Sequence, residues 1–456
     1  MESSPDVRSR GVPVDFGALL LVSFLLGFAN AISHGSYSGP ALALIAAALV
    51  LLTWRFVAGA RGVAEPALSG RPVVFGLVMV ALLSLPVIAF CDTRLIIWPR
   101  SPWHVGRAAE IASFLVLLTY VPYVSGKRRE TERAKHLRFA ALGALVLAAG
   151  LATLHVSPAP GIDVWDLQNR GALALLRGEN PYVTVTVPDT DPENVMIIPY
   201  VYPPTALYAG VLGLVIGGDV RFAMLAAVMI TGFALRSIAR RSPLSLPSVA
   251  EDAPALFFWL TPVLCLVLEL SWIDPIQIML LSVAVAAHVG KRPVLTAIAF
   301  GIALSSKQSM FWLIPLSGFV LRFTVRQWLI MAGTAAALVF PFVLLDWRRL
   351  KYANFDFMTA LPPRSDALCL AVWCKRTFHA VFPAQIAFLL SACTVGFASW
   401  KMRGSVSAFA RSVALTYLVF FFFNKWAFAN YYFLLTGLTA LAAAAALHVG
   451  QSAQKA

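Results

Sequence analysis

The sequence predicts an all-α polytopic membrane protein with about fourteen transmembrane helices. Of 456 residues, 59% are hydrophobic and only 13% charged, roughly half the charged share of a soluble domain. Apolar runs recur from one end of the chain to the other. Long runs of that kind indicate membrane segments of helical type. The formal net charge is +14. In such a chain this reflects Lys and Arg at the cytoplasmic ends of helices, and no basic patch interleaved with aromatics points to nucleic acid.

The runs begin at 14–33, 40–60, 72–92 and 108–125. The N-terminus MESSPDVRSRG is polar, and no small-residue cleavage site follows the first run, so no cleavable signal peptide is expected. These four runs hold few polar groups apart from Asp92, Arg94 and PRSPWH at 99–104. They read as an accessory helical module over 1–126. The densest basic cluster, KRRETERAKHLR at 127–138, should be cytoplasmic. The run 138–156 then leaves the cytoplasm, and 157–202 lies outside.

The next run, 203–217, raises a conflict. If it crossed the bilayer, Arg236, Arg240 and Arg241 would face outward, and so would Lys291 with Arg292 and Arg322 with Arg326. At about 15 residues it also falls short of the ~20 that a crossing needs. It is therefore expected to lie along the outer surface. The remaining runs are 219–240, 253–271, 274–290, 293–306, 309–322, 326–345, 381–400, 406–424 and 428–448. They place every basic group just named inside, with Lys401 and Arg403, and leave both termini cytoplasmic. A module over 127–456 then carries two outer loops, 157–218 and 346–380.

The polar groups next to apolar runs gather on the outer side. GIDVWDLQNRGALALLRGENPY at 161–182 predicts a short helix over 167–176, stopped by Gly178. Asp163 and Asp166 are three apart and share a face if the helix begins early. The stretch reads either as a solvated surface helix or as a catalytic loop. In ELSWIDP at 269–275, Asp274 is placed to cap the next helix, whereas Glu269 has no capping role and points to a site. In ALSSKQSMFWLIPL at 303–316, apolar arms of about 14 residues rise only about 21 Å each, which holds Lys307 below the surface. Lys307 then either snorkels to the headgroups or waits for a lipid-linked phosphate.

The loop 346–380 carries Arg348, Arg349, Lys351, Arg364, Lys375 and Arg376. Basic residues outside suit either an anionic ligand or anionic headgroups. FFFNKWAFANYY at 421–432 reads as an aromatic interface belt, in which Asn424 and Lys425 are unusual members. Of five cysteines, Cys369 and Cys374 share the second outer loop and either pair or remain thiols.

The order of these features carries a resemblance. An outer loop opens on Asp163 and runs D-x-x-x-x-Q-x-x-G-A-x-x-L-L-x-G-x-N-P-Y; Tyr202-Pro203-Pro204 opens a surface helix. W-x-D-P, a K-Q turn and N-x-W-x-x-x-N-Y-Y follow. From about 138 to 450 the chain resembles the GT-C superfamily of polyprenyl-phosphate-sugar-dependent glycosyltransferases, especially bacterial mannosyltransferase-like proteins of family 87 type. The resemblance implies a GT-C-like fold with an outer-face juxtamembrane helix, in a bacterial plasma membrane. It implies a single inverting displacement at the outer face. The donor is a polyprenyl-phosphate-linked sugar and the acceptor a glycan or lipid.

By that resemblance Asp163 is the catalytic carboxylate, with Asp166 second. Lys307, Gln308, Arg348, Arg349 and Arg376 would hold the donor phosphate. Glu269, Trp272, Asp274, Tyr202, Asn180, Tyr182, Asn424 and Lys425 would orient sugar or acceptor, or a divalent metal such as Mg or Mn. No cofactor is required by the residues themselves. Two other classes stay open: a lipid-linked saccharide flippase or transporter, and a glycan ligase or polymerase using a diphosphate donor.

Overall fold

A computed structural model describes residues 13–61, 71–91, 103–124, 130–189, 196–244 and 246–448. Asp92, Arg94 and most of PRSPWH lie outside the described residues. The N-terminal helices are α1 (Val14–Ser33), α2 (Gly39–Ala60), α3 (Arg71–Cys91), α4 (Trp103–Leu118), α5 (Val121–Val124) and α6 (Glu132–Val156). Then come α7 (Asp163–Leu176), α8 (Pro181–Thr184), strands β1 (Thr186–Pro188) and β2 (Ile197–Pro199), and α9 (Pro204–Gly217). The middle holds α10 (Arg221–Arg240), α11 (Ser248–Trp259), α12 (Leu264–Glu269), α13 (Asp274–Val289) and α14 (Pro293–Leu304).

A tight 3-10 turn (Gln308–Trp312), α15 (Leu313–Pro315) and a wide turn (Leu316–Val320) lead to α16 (Val325–Lys351) and α17 (Phe357–Ala360). Last are α18 (Leu370–Phe378), α19 (Gln385–Lys401), α20 (Val406–Phe423) and α21 (Ala429–Ala446).

The chain is thus almost wholly helical, a membrane protein by its apolar helices. Among the described residues seven helices are long and apolar enough to cross a membrane: α1, α2, α6, α10, α16 continued to Ala360, α20 and α21. Others, such as α13 and α14, are apolar but shorter. Polar side chains start several of them. The Ser38, Thr131 and Ser405 hydroxyls accept from the backbones of Ala41, Ala134 and Ala408. Thr324 and Gln327 form a reciprocal capping box at α16.

The bundle has two chemically distinct ends. At one, Arg236 pairs with Asp252 at 2.6 Å, Arg240 with Glu132 at 2.9 Å, and Ser242 reaches the Leu447 carbonyl at 2.7 Å. Nearby, buried Asp15 binds both Arg55 and Arg411, joining α1, α2 and α20. Removing one partner of such a buried set costs about 3–5 kcal/mol. At the other end lie 157–189, 196–202, 269–274, 305–308 and 424–430.

Both ends of α9 belong to this second end. Thr205 hydrogen-bonds Ser305 at 2.7 Å at its start, and beyond its C-terminus Arg221 reaches the Glu269 carbonyl at 3.3 Å. At 14 residues it is about 21 Å long and runs along that end.

Two local expectations change, and one open alternative resolves. The helix after Gly161 begins at Asp163 rather than 167, so Asp163 and Asp166 occupy its first turn. The segment 346–380 is largely helical: α16 kinks at Asp346, whose carboxylate accepts from the backbones of Arg348 and Arg349 and restarts the helix. Cys369 and Cys374 are free thiols. The N-terminal pair is built into the bundle, α1 packing on α21 and α2 on α20.

Candidate functional site

A cavity of about 630 Å³ opens at the second end. That falls within the range of small-molecule sites, ~300–1,000 Å³. Its wall draws on distant parts of the chain: the turn after α1, the start of α7, the hairpin, Tyr202, the α12–α13 junction, Lys307 with Gln308, residues 357–366 and 426–431.

Asp163 faces this cavity from the N-terminus of α7. Burial lifts its pKa above the ordinary carboxylate range, and the negative charge of Asp189 adds to this. The Val164 backbone N–H and the Arg364 guanidinium act the other way without cancelling it. Tyr202 stands close enough for the Asp163 charge, after burial, to keep its hydroxyl protonated. Its neighbours lock it in place: the Tyr182 hydroxyl donates to the Tyr202 carbonyl at 2.8 Å, and Tyr200 packs edge-on against both rings.

Lys307 precedes the 3-10 turn, and its ammonium donates to Asp274 Oδ1 at 2.9 Å. Asp274 Oδ2 accepts from Asn430 at 2.8 Å. The ammonium also lies 4.4 Å from the Tyr431 ring centre. Burial is the largest single influence and works against the charge on Lys307, but Asp274 and Tyr431 together outweigh it and the pKa is raised. Asp274 is therefore not a cap. It is the first residue of α13, and both its oxygens serve the cavity side. Gln308 is turned partly into the wall, donating to the Val201 carbonyl at 2.8 Å. Trp272 lines the cavity beside Asp274.

Other expected site residues lie elsewhere. Glu269 is fully buried behind the wall, on the side of α12 that faces Ser157 and Arg221. Asp166 does not line the cavity. Arg348 and Arg349 are exposed on the restarted part of α16. Arg376 stacks 4.4 Å over Tyr37 and donates to the Ser365 carbonyl. Asn180 caps α8 by accepting from the Tyr182 backbone at 3.1 Å, and Tyr182 is a buried support. Lys425 ties down the Leu361 and Thr359 carbonyls, while Asn424 accepts from the Lys425 backbone. These groups brace the fold around the cavity.

Sequence reasoning passed over His34, Asp189, Asp366 and Asn430 as site residues, and named Arg364 only as one of six loop cations. All five line the cavity. Arg364 and Asp366 form a two-pronged ion pair at 2.9 and 2.8 Å. The N-Y-Y of the last motif was the one signal that touched Asn430. Among the described residues no group of three His, Cys, Asp or Glu is placed to hold a metal ion.

Chemically, the cavity offers a carboxylate with elevated proton affinity, a buried ammonium and a fixed ion pair, with aromatic and apolar walls. Neither protein-family models nor curated proteins show a match to this chain.

Proposed function

We propose that this chain is a membrane glycosyltransferase, GT-C-like in architecture with about fourteen crossings, the shorter helices spanning with the seven long ones. It moves a sugar from a polyprenyl phosphate to an acceptor at the outer face of a bacterial plasma membrane. The observation that carries this reading is that Asp163 and Lys307, far apart in sequence, line one cavity at the end of the bundle away from the basic clusters.

Asp163 takes the proton of the acceptor hydroxyl as that oxygen attacks the anomeric carbon from the face opposite the phosphate. A base whose pKa burial raises above the ordinary carboxylate range suits that task. The bond from the anomeric carbon to the phosphate oxygen breaks, and the lipid phosphate leaves with the electron pair. Lys307 stabilises that charge. An ammonium has three donors and Asp274 engages one, so Asp274 and Asn430 aim Lys307 without consuming it.

The aromatic residues beside it suit the isoprenoid. Phe311 and Trp312 follow Gln308 by three and four residues, and Phe388 of α19 packs on both. Among the described residues no three His, Cys, Asp or Glu side chains are grouped to hold a metal ion.

The cavity's cations, Lys307 and Arg364, are each already paired with a carboxylate. That favours a monophosphate donor over a diphosphate one, and so a transferase over a ligase or polymerase. The position of the polar groups at one end, rather than along a path through the bundle, disfavours a transporter. The test is Asp163→Asn assayed for transfer from polyprenyl-phosphate sugars. Loss of about 10²–10⁴ in rate is expected for a missing base, and full turnover would remove Asp163 from its role.

A further inference from the structure

The cavity has two unlike sides. Its deep side holds Lys307 and Asp274, whose side chains are 11% and 0% exposed. Phe311 and Trp312, packed with Phe388, follow Lys307 a few residues on in the chain, outside the cavity wall itself. The other side is its mouth, made by the turn 34–37 and by residues 361–366 and 426–428. There the Arg364 and Asp366 side chains are 28% and 44% exposed. Ser36, Pro362, Pro363 and Ser365 face outward.

The mouth is strapped together. The Tyr37 backbone donates to the Asp366 carbonyl at 2.7 Å, and Ser36 bridges Ala367. The Leu368 backbone donates to Ala427 at 2.8 Å, and the Trp426 indole to Pro362 at 2.7 Å. Gly35 has φ +75, and a Cβ there would lie 2.2 Å from the Ala429 backbone nitrogen. Only glycine permits that approach. Three distant segments thus hold one surface of fixed shape.

We propose that this mouth is the acceptor subsite and that the acceptor is a saccharide, bound through Asp366, Arg364 and His34 with Trp426 in the same wall. The inference rests on the transfer reaction above. A displacement with inversion needs its two substrates on opposite faces of the sugar, and the lipid phosphate fits the deep side, where the Lys307 ammonium is held. That leaves the polar mouth for the acceptor.

The two-pronged Asp366–Arg364 pair presents acceptors and donors side by side in one plane. Neighbouring sugar hydroxyls, each donor and acceptor, match such a pair. The indole plane is fixed by its bond to Pro362 and offers an apolar surface to the C–H face of a ring. Asp163 feels the charge of Arg364, so the base stands beside this wall. The outward residues at the mouth are Ser and Pro, not the apolar surface along which an acyl chain would approach.

The test uses the full chain in nanodiscs, polyprenyl-phosphate mannose as donor and short mannose oligosaccharides as acceptors. Asp366→Asn should raise the acceptor KM about 10–100-fold, the loss of a charged hydrogen bond, with the donor KM changed less than about two-fold. His34→Gln, which leaves the ion pair intact, should show the same selectivity. Saturation-transfer NMR without donor should show the oligosaccharides bound to wild type and not to Asp366→Asn.

Equal movement of donor and acceptor KM in both variants would overturn the assignment. So would transfer to a lipid acceptor with no oligosaccharide signal or product. That second result leaves the transferase reading standing, whereas wild-type protein that moves no sugar from the polyprenyl-phosphate donor to any acceptor removes it.

Discussion

Replacing Lys307 with Met separates two roles that the structure gives one side chain. Asp274 is fully buried, and its oxygens accept from the Lys307 ammonium and the Asn430 amide. Lys307→Met leaves that carboxylate with an amide and no countercharge, which should cost about 3–5 kcal/mol of stability. Adding Asp274→Asn removes the stranded charge and should return most of this, a coupling of about 1–3 kcal/mol. Transfer should behave differently. Losing one donor to a developing oxyanion costs about 10²–10³ in rate, and the double variant lacks that donor as much as the single one.

The assays are SDS-induced unfolding of the detergent-solubilised protein and turnover with polyprenyl-phosphate mannose. If the double variant recovers both stability and transfer, Lys307 serves Asp274 alone and the phosphate role is refuted. If the single variant is as stable as wild type, the buried pair itself is misread.

Other outcomes follow from the same geometry. Because Asp163 must be ionised to act, transfer should fall as pH drops through a pKa above the usual ~3.9; a pH–rate profile reads this. The raised folded-state pKa also means that Asp163 favours folding below its unfolded pKa and loses that contribution as pH rises through the folded one. Asp163→Asn should therefore be at least as stable as wild type at pH 8, checked by SDS unfolding. Arg348→Gln with Arg349→Gln should leave donor KM unchanged, since neither lines the cavity. Gly35→Ala should destabilise by at least about 1–2 kcal/mol from its left-handed backbone alone, with the clash against Ala429 in addition, again by SDS unfolding.

What could be read in the sequence was what local pattern and charge report. The 203–217 run was too short, and spanning would have misplaced three basic groups; α9 does begin and end at one end of the bundle. Short arms drew attention to Lys307, and its side chain, 11% exposed, lines the cavity. Asp163, Trp272, Asp274, Tyr202 and Gln308 stood in unusual polar contexts and do line the cavity. Glu269 looked equally unusual, but which way α12 turns it depends on packing against α6 and α10, and no local signal encodes that. Arg348, Arg349 and Arg376 shared a cationic loop with Arg364; only the kink at Asp346 and the straps at 366–368 decide that Arg364 alone reaches inside. His34 is a lone histidine after an apolar run, and its place is set by a helix more than 390 residues later in the chain.

The Asp15–Arg55–Arg411 cluster bears on how the chain is made. The ribosome delivers Asp15 and Arg55 together, as a hairpin that can settle in the bilayer at once. Arg411 emerges only when nearly all the rest has been inserted, and it must find a carboxylate already held by another guanidinium. A protein truncated before α20 would keep Asp15 and Arg55 paired yet lose the helices that cover α1 and α2. Quality control that senses exposed polar surface within the bilayer therefore has a marker for unfinished chains in the first helices synthesised.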